Sequence, residues 1–141
     1  MSVEQNIASI RRCFEEVWNR GNLEAVPELI SPRYVSYSTQ KGETGSGLSA
    51  FEQNVRKWRA AVPDLHYAVD SVAGAGEWLE TRLTLTGTFT GRWADTEPTG
   101  KPIYHRFSLF SRYVDGKCVE ATTCSDSANL SRRSGLPNPD V

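Results

Sequence analysis

No stretch of this sequence approaches the roughly 20 consecutive apolar residues that a membrane helix needs, so no membrane is expected as a partner. The opening residues, MSVEQNIASI, carry no basic patch followed by an apolar stretch, so no secretory signal is visible. Cysteine is scarce and odd in number: Cys13, Cys118 and Cys124. Without an export signal these are expected to be reduced thiols in the cytoplasm. Neither sign of charge predominates. Sixteen basic residues stand against seventeen acidic ones, a net charge of -1, which argues against nucleic acid as a partner. Metal-ligand spacing is missing too. His66 and His105 lie far apart, and Cys118 and Cys124 form no chelating pattern, so no metal is expected. Gly42-Glu43-Thr44-Gly45-Ser46-Gly47 lacks the Gly-Lys-Ser/Thr ending of a phosphate loop, and no Gly-x-Ser-x-Gly elbow occurs. Asn129-Leu130-Ser131 fits the glycosylation pattern, but without secretion the match is chance.

What is present is the composition of a folded globular chain. Apolar residues make up 38% of the 141 and charged residues 23%, which excludes disordered and collagen-like classes. The length fits one domain over residues 1–141, with a core to about residue 130 and a tail beyond. At this size about two-thirds of the unfolded surface is buried, enough for a core or pocket without disulfides or metal.

The first twenty residues read as a helix. Ser2 and Gln5 form a capping box, and Ile7, Ile10, Phe14, Val17 and Trp18 recur at helical steps. Gly21 suits the left-handed position that ends a helix. A short second helix follows through Leu23, Val26, Leu29 and Ile30, with Pro27 in its first turn and Ser31-Pro32 stopping it. Residues 34–37 suggest a short strand, 38–47 a polar loop and 48–62 a third helix. From Leu65 the period changes to two. Strands are expected over residues 65–72, 78–88, 104–114 and 118–126, with turns at Gly74-Ala75-Gly76 and Asp115-Gly116 and a longer link over 89–102. In the second strand Leu79, Thr81, Leu83 and Leu85 alternate with Glu80, Arg82, Thr84 and Thr86. The polar tail ending in Pro137-Asn138-Pro139 is expected to be ordered only in part. Segregated helices followed by hairpin-linked strands give an antiparallel α+β fold.

Several strings carry a resemblance in the same order: Phe14-Glu15-Glu16-Val17-Trp18-Asn19-Arg20-Gly21-Asn22, Ala61-Val62-Pro63-Asp64-Leu65, and Gly87-Thr88-Phe89-Thr90-Gly91. Further along come Pro98-Thr99-Gly100-Lys101, Asp115-Gly116-Lys117-Cys118-Val119-Glu120, Asp126 and Ser134-Gly135-Leu136-Pro137. The chain resembles the SnoaL-like polyketide cyclases of the nuclear-transport-factor-two-like superfamily. The resemblance implies a cone: a curved, mixed, mostly antiparallel sheet wrapped over about three N-terminal helices, with a deep pocket. It also implies sheet-to-sheet homodimers, cofactor-free chemistry and a small hydrophobic ligand.

Within that resemblance Asp126 matches the carboxylate at the end of the last strand, which serves as acid/base in ring closure. Such a group needs an apolar pocket to raise its pKa toward the working pH. The alternative role is a backbone cap. His105, on the third long strand, can donate to a carbonyl or enolate oxygen, or be a plain strand histidine. His66 reads as a surface residue. Arg82 matches a family arginine that holds an anionic oxygen or pairs with Asp126; an ion pair with Glu80 or Glu120 is the alternative. Tyr37, Trp58, Trp18 and Phe107 are candidate pocket walls. Cys124 reads as a small buried thiol. Three positions depart from the family pattern. Tyr37 and Phe89 stand where many relatives carry histidine, and Thr122 where many carry tryptophan. The loop over 38–47 lacks the aspartate that isomerase relatives use as base. The expected function is a cofactor-independent cyclase or isomerase acting on a hydrophobic carbonyl compound of polyketide, terpenoid or steroid type. The alternatives are a non-catalytic binding module and a hydrolase or dehydratase on the same fold.

Overall fold

The computed structural model describes residues 2–137. Helix α1 (Val3–Arg12) starts at the expected capping box. The Gln5 N–H donates to Ser2 Oγ at 3.1 Å, and the Ser2 N–H donates to Gln5 Oε1 at 2.9 Å. The helix does not run regularly to residue 20. It widens into a π-helical segment, Cys13–Asn19, whose Cys13, Phe14, Val17 and Trp18 are buried. Arg59 of the third helix closes this end, its Nη1 donating to the carbonyls of Trp18 (2.8 Å) and Asn19 (2.9 Å). Gly21 takes the left-handed conformation, φ +73°.

The expected second helix is shorter. A single 3-10 turn (Leu23–Ala25) leads into α2 (Val26–Leu29), and strand β1 (Ile30–Ser38) begins where Ser31-Pro32 was expected only to stop the helix. Proline is tolerated there because the ladder is interrupted: pairing with the last strand breaks between Ile30 and Val35. The polar loop over 38–47 contains a further strand, β2 (Gly42–Ser46), paired antiparallel to β1. It has no apolar alternation to announce it, because an edge strand can be held by backbone bonds alone. Then come α3 (Gly47–Ala61), β3 (His66–Ala75), β4 (Trp78–Thr88), β5 (Pro102–Val114) and β6 (Lys117–Cys124). The expected continuation to residue 126 ends at Cys124, and α4 (Ser127–Ser134) follows within the expected tail. Asn138 and Pro139 lie outside the described residues.

The strand order is β2-β1-β6-β5-β4-β3, antiparallel except for the β1–β6 pair. The sheet is curved and unclosed, with register breaks in β1, β3 and β5 that bend it. Alternation assigns its faces. Leu79, Thr81, Leu83 and Leu85 of β4 are buried, and between them Glu80 and Arg82 point away. The concave face receives α1, the π-helical segment and α3. Asn19 locks the junction, accepting from the Tyr67 N–H (2.7 Å) and donating to the Tyr67 carbonyl (3.0 Å). No helix of the described residues is long and apolar enough to cross a membrane.

Candidate active site

A cavity of about 150 Å³ lies between the helices and the concave face, or about 1000 Å³ when the space open to solvent is included. The helical side supplies Cys13, Phe14 and Trp18, with Phe51 and Asn54 from α3. The sheet supplies Tyr34 and Ser36 from β1, Tyr67 from β3, and Phe107, Leu109, Ser111 and Tyr113 from β5. Cys118, Ala121 and Thr123 of β6 complete that wall. Rings meet edge to face around it: Trp18 with Tyr67 at 5.3 Å, Tyr34 with Phe51 at 5.4 Å and Tyr67 with Phe107 at 6.0 Å. Among the described residues no charged side chain lines it. Its ionisable groups stay protonated. Burial pushes the Cys13 thiol up to about 12 and raises Cys118, Tyr34, Tyr67 and Tyr113 as well.

His105 follows the same inward phase of β5, one step beyond Phe107, and is 5% exposed. Its ring stacks on Phe107 at 5.9 Å, and its Nε2 shares a 2.5 Å hydrogen bond with Ser125 Oγ, the donor depending on the tautomer. It also lines a second hollow of about 210 Å³ with Lys101, Tyr104, Asn129 and Arg133. Burial lowers its pKa from 6.5; Asp126 opposes that shift and Arg133 adds to it. At neutral pH the ring is therefore an uncharged base.

Asp126 does not enter the large cavity. Along β6, Ala121 and Thr123 face in and Ser125 continues that phase toward His105, which leaves Cys124 and Asp126 on the other. The strand has also ended, and the exposed Asp126 caps α4, its Oδ1 accepting from the Asn129 N–H at 3.0 Å. Of the sequence candidates, the fold brings Trp18 and Phe107 to the cavity and sets His105 and Asp126 near each other beyond it. Trp58 is fully buried and packs on Trp93 at 4.9 Å, outside the cavity lining. Tyr37 lies one residue past Ser36, at a register break, and lines neither cavity. Arg82 is on the outer face, its side chain 68% exposed and its Nε donating to Glu80 at 3.3 Å. His66 is exposed, and Cys124 is only partly buried.

The SnoaL-like polyketide cyclase family model matches residues 8–133. The chain belongs to that family. Aklanonic acid methyl ester cyclase AcmA of Streptomyces galilaeus is 25% identical to it over 141 residues, covering 99% of this chain and 96% of that protein. Nogalonic acid methyl ester cyclase of Streptomyces nogalater is 28% identical over 124 residues, 87% of this chain and 92% of that one. The SnoaL-like protein of Jannaschia sp. CCS1 superposes with a TM-score of 0.84 over 97% of both chains; at 20% identity that likeness concerns the fold. At the positions where the resemblance leads one to expect histidine or tryptophan, this SnoaL-like domain places its side chains away from the cavity lining. Phe89 is wholly buried in the core, and Thr122 pairs with Phe110 and Tyr37 in a phase opposite to the lining residues.

Tyr34, Ser111, Tyr113 and the two buried thiols were not singled out in the sequence. Once Phe107 is assigned to the wall, period-two alternation along β5 delivers Leu109, Ser111 and Tyr113. Tyr34 was hidden because the strand was expected to begin there, which left its phase unset. Among the described residues no group of three or more His, Cys, Asp or Glu side chains converges as a metal site would.

Proposed function

We propose that the chain is a cofactor-independent cyclase or isomerase-like enzyme, acting by acid/base catalysis on a hydrophobic, carbonyl-bearing small molecule of polyketide, terpenoid or steroid type. The observation that carries this reading is His105: a buried imidazole stacked on Phe107, one wall of the aromatic cavity. Membership of the SnoaL-like polyketide cyclase family, and likeness to two methyl ester cyclases, support it. In this reading His105 takes a proton from the carbon beside a carbonyl. The resulting enolate carbon attacks a second carbonyl of the same molecule, forming the ring bond, and the new alkoxide recovers the proton from His105. Asp126, expected from the resemblance to exchange the proton itself, acts instead through its charge on the imidazolium. Trp18 and Phe107 exclude water and position the chain of the substrate. The enzyme works as a homodimer.

One observation favours a second reading, a non-catalytic module that holds a small apolar ligand: the Asp126 carboxylate is engaged by the Asn129 backbone. A turnover assay on aromatic polyketide and steroid-like ketones separates the two. His105→Gln is expected to reduce kcat by 100-fold or more while ligand binding persists. Equal binding by wild type and variant, with turnover in neither, would establish the binding module.

A further inference from the structure

The inner part of the cavity gathers buried polar groups from three strands and the π-helical segment. Ser111 Oγ is fully buried and meets no partner at hydrogen-bonding geometry among the described residues. The Tyr113 hydroxyl lies beside it, close enough to reduce slightly the rise in that phenol's pKa. Tyr34, Tyr113, Cys13 and Cys118 are within electrostatic reach of one another, so their polar ends share one region. Register places the strand residues of this group side by side, and Cys13 reaches them from the π-helical segment. Ser111 and Tyr113 share the inward phase of β5, β6 is its neighbour through Ser111↔Ala121 and Tyr113↔Cys118, and β1 lies beside β6 through Ile30↔Cys118.

We infer that this region is a subsite for a neutral oxygen acceptor, a ketone or ester carbonyl on a flat ring, held by the hydroxyls of Tyr34, Ser111 and Tyr113. The inference rests on the reading that the cavity holds the substrate. Its chemistry follows from the groups present. Protonated phenols and a serine hydroxyl donate hydrogen bonds, and the buried Ser111 hydroxyl left unmatched costs free energy, so a ligand that supplies an acceptor there is favoured. A carboxylate or phosphate would enter a region whose lining carries no cation, losing hydration without a countercharge. A cavity near 150 Å³ accepts a single benzene-sized ring, so the rest of a larger substrate lies outside this inner region.

The test is an NMR titration of the whole chain with three single-ring probes: acetophenone, ethylbenzene and benzoate. In wild type acetophenone and ethylbenzene bind, and benzoate at pH 7 does not. In Tyr34→Phe and Ser111→Ala the ratio of acetophenone to ethylbenzene affinity falls about 3- to 10-fold per lost hydroxyl, the scale of one hydrogen bond. Ethylbenzene affinity holds or improves, which certifies the fold of each variant. Both hydrocarbon and ketone binding with an unchanged ratio in the variants would overturn the subsite and leave the cavity reading standing. Binding of neither probe by wild type would overturn both. Benzoate binding as tight as acetophenone would overturn the selection for a neutral acceptor.

Discussion

His105 carries the sharpest prediction at the scale of a residue. Its pKa is lowered from 6.5 by burial, and a base must be uncharged to act. The acidic limb of kcat/KM is therefore expected below pH 6.5. Asp126→Asn removes the interaction that raises this pKa, so the limb moves to lower pH; Arg133→Gln removes one that lowers it, so the limb moves up. Asparagine also caps helices well, so Asp126→Asn leaves stability nearly unchanged, whereas Asp126→Ala costs about 1 kcal/mol. The folded protein binds the His105 proton more weakly than the unfolded chain does. Stability from this group is thus complete above pH 6.5 and is lost as pH falls through 6.5 toward the folded value. A pH–rate profile for each variant checks the signs, and limbs that stay fixed would remove His105 from the role of base.

At the scale of elements, the cavity depends on how tightly α3 meets the link after β4. The N–H groups of Thr90 and Gly91 both donate to the Ala61 carbonyl, at 3.1 and 2.9 Å. A Cβ on Gly91 would fall 1.8 Å from the Ala60 carbonyl oxygen. Backbone there cannot yield without unseating the end of α3, so Gly91→Ala is expected to cost about 3 kcal/mol in a denaturant titration. Gly42→Ala adds no such contact, since nothing lies within 4 Å of its Cβ. Its φ of +77° still strains alanine, so a smaller loss, about 1 kcal/mol, is expected there. Equal losses at the two sites would show that the close approach is not what matters at Gly91.

For the whole molecule, the outer sheet surface sets the expected assembly. Trp78 and Phe110 remain 46% and 39% exposed, and register puts Trp78 opposite Arg112 and Phe110 opposite Glu80. Large aromatics on the exposed outer face of the sheet suit burial against a second copy. Sedimentation is expected to find a dimer for wild type and a monomer for Phe110→Lys, with thermal stability nearly unchanged at low concentration. A wild-type monomer would reject the homodimer.

How far the sequence reached differs between fold and site. The β4 pattern is nearly complete in the residues themselves: leucines and Thr81 alternate with charged and polar side chains, and the strand spans 78–88 as expected. The capping box and Gly21 are likewise local chemistry, settled by a few neighbouring atoms. Arg82 could be placed outside from that alternation alone. Asp126 could not be placed. Whether it ends a strand or begins a helix turns on where pairing with β5 stops, at Ser108↔Cys124, and on α4 docking beneath it. Strand β2 and the path through Pro32 were equally illegible, because backbone pairing with a distant strand, rather than side-chain pattern, holds them. The α+β class, the order of the main elements and the buried phase of the long strands were legible along the chain, since these follow from periodicity and turn chemistry. Which polar groups share the cavity was set by packing between distant segments. Tyr34, Ser111, Tyr113, Cys13 and Cys118 come from four separate segments, and no local rule brings together residues that meet only when the sheet curves over the helices.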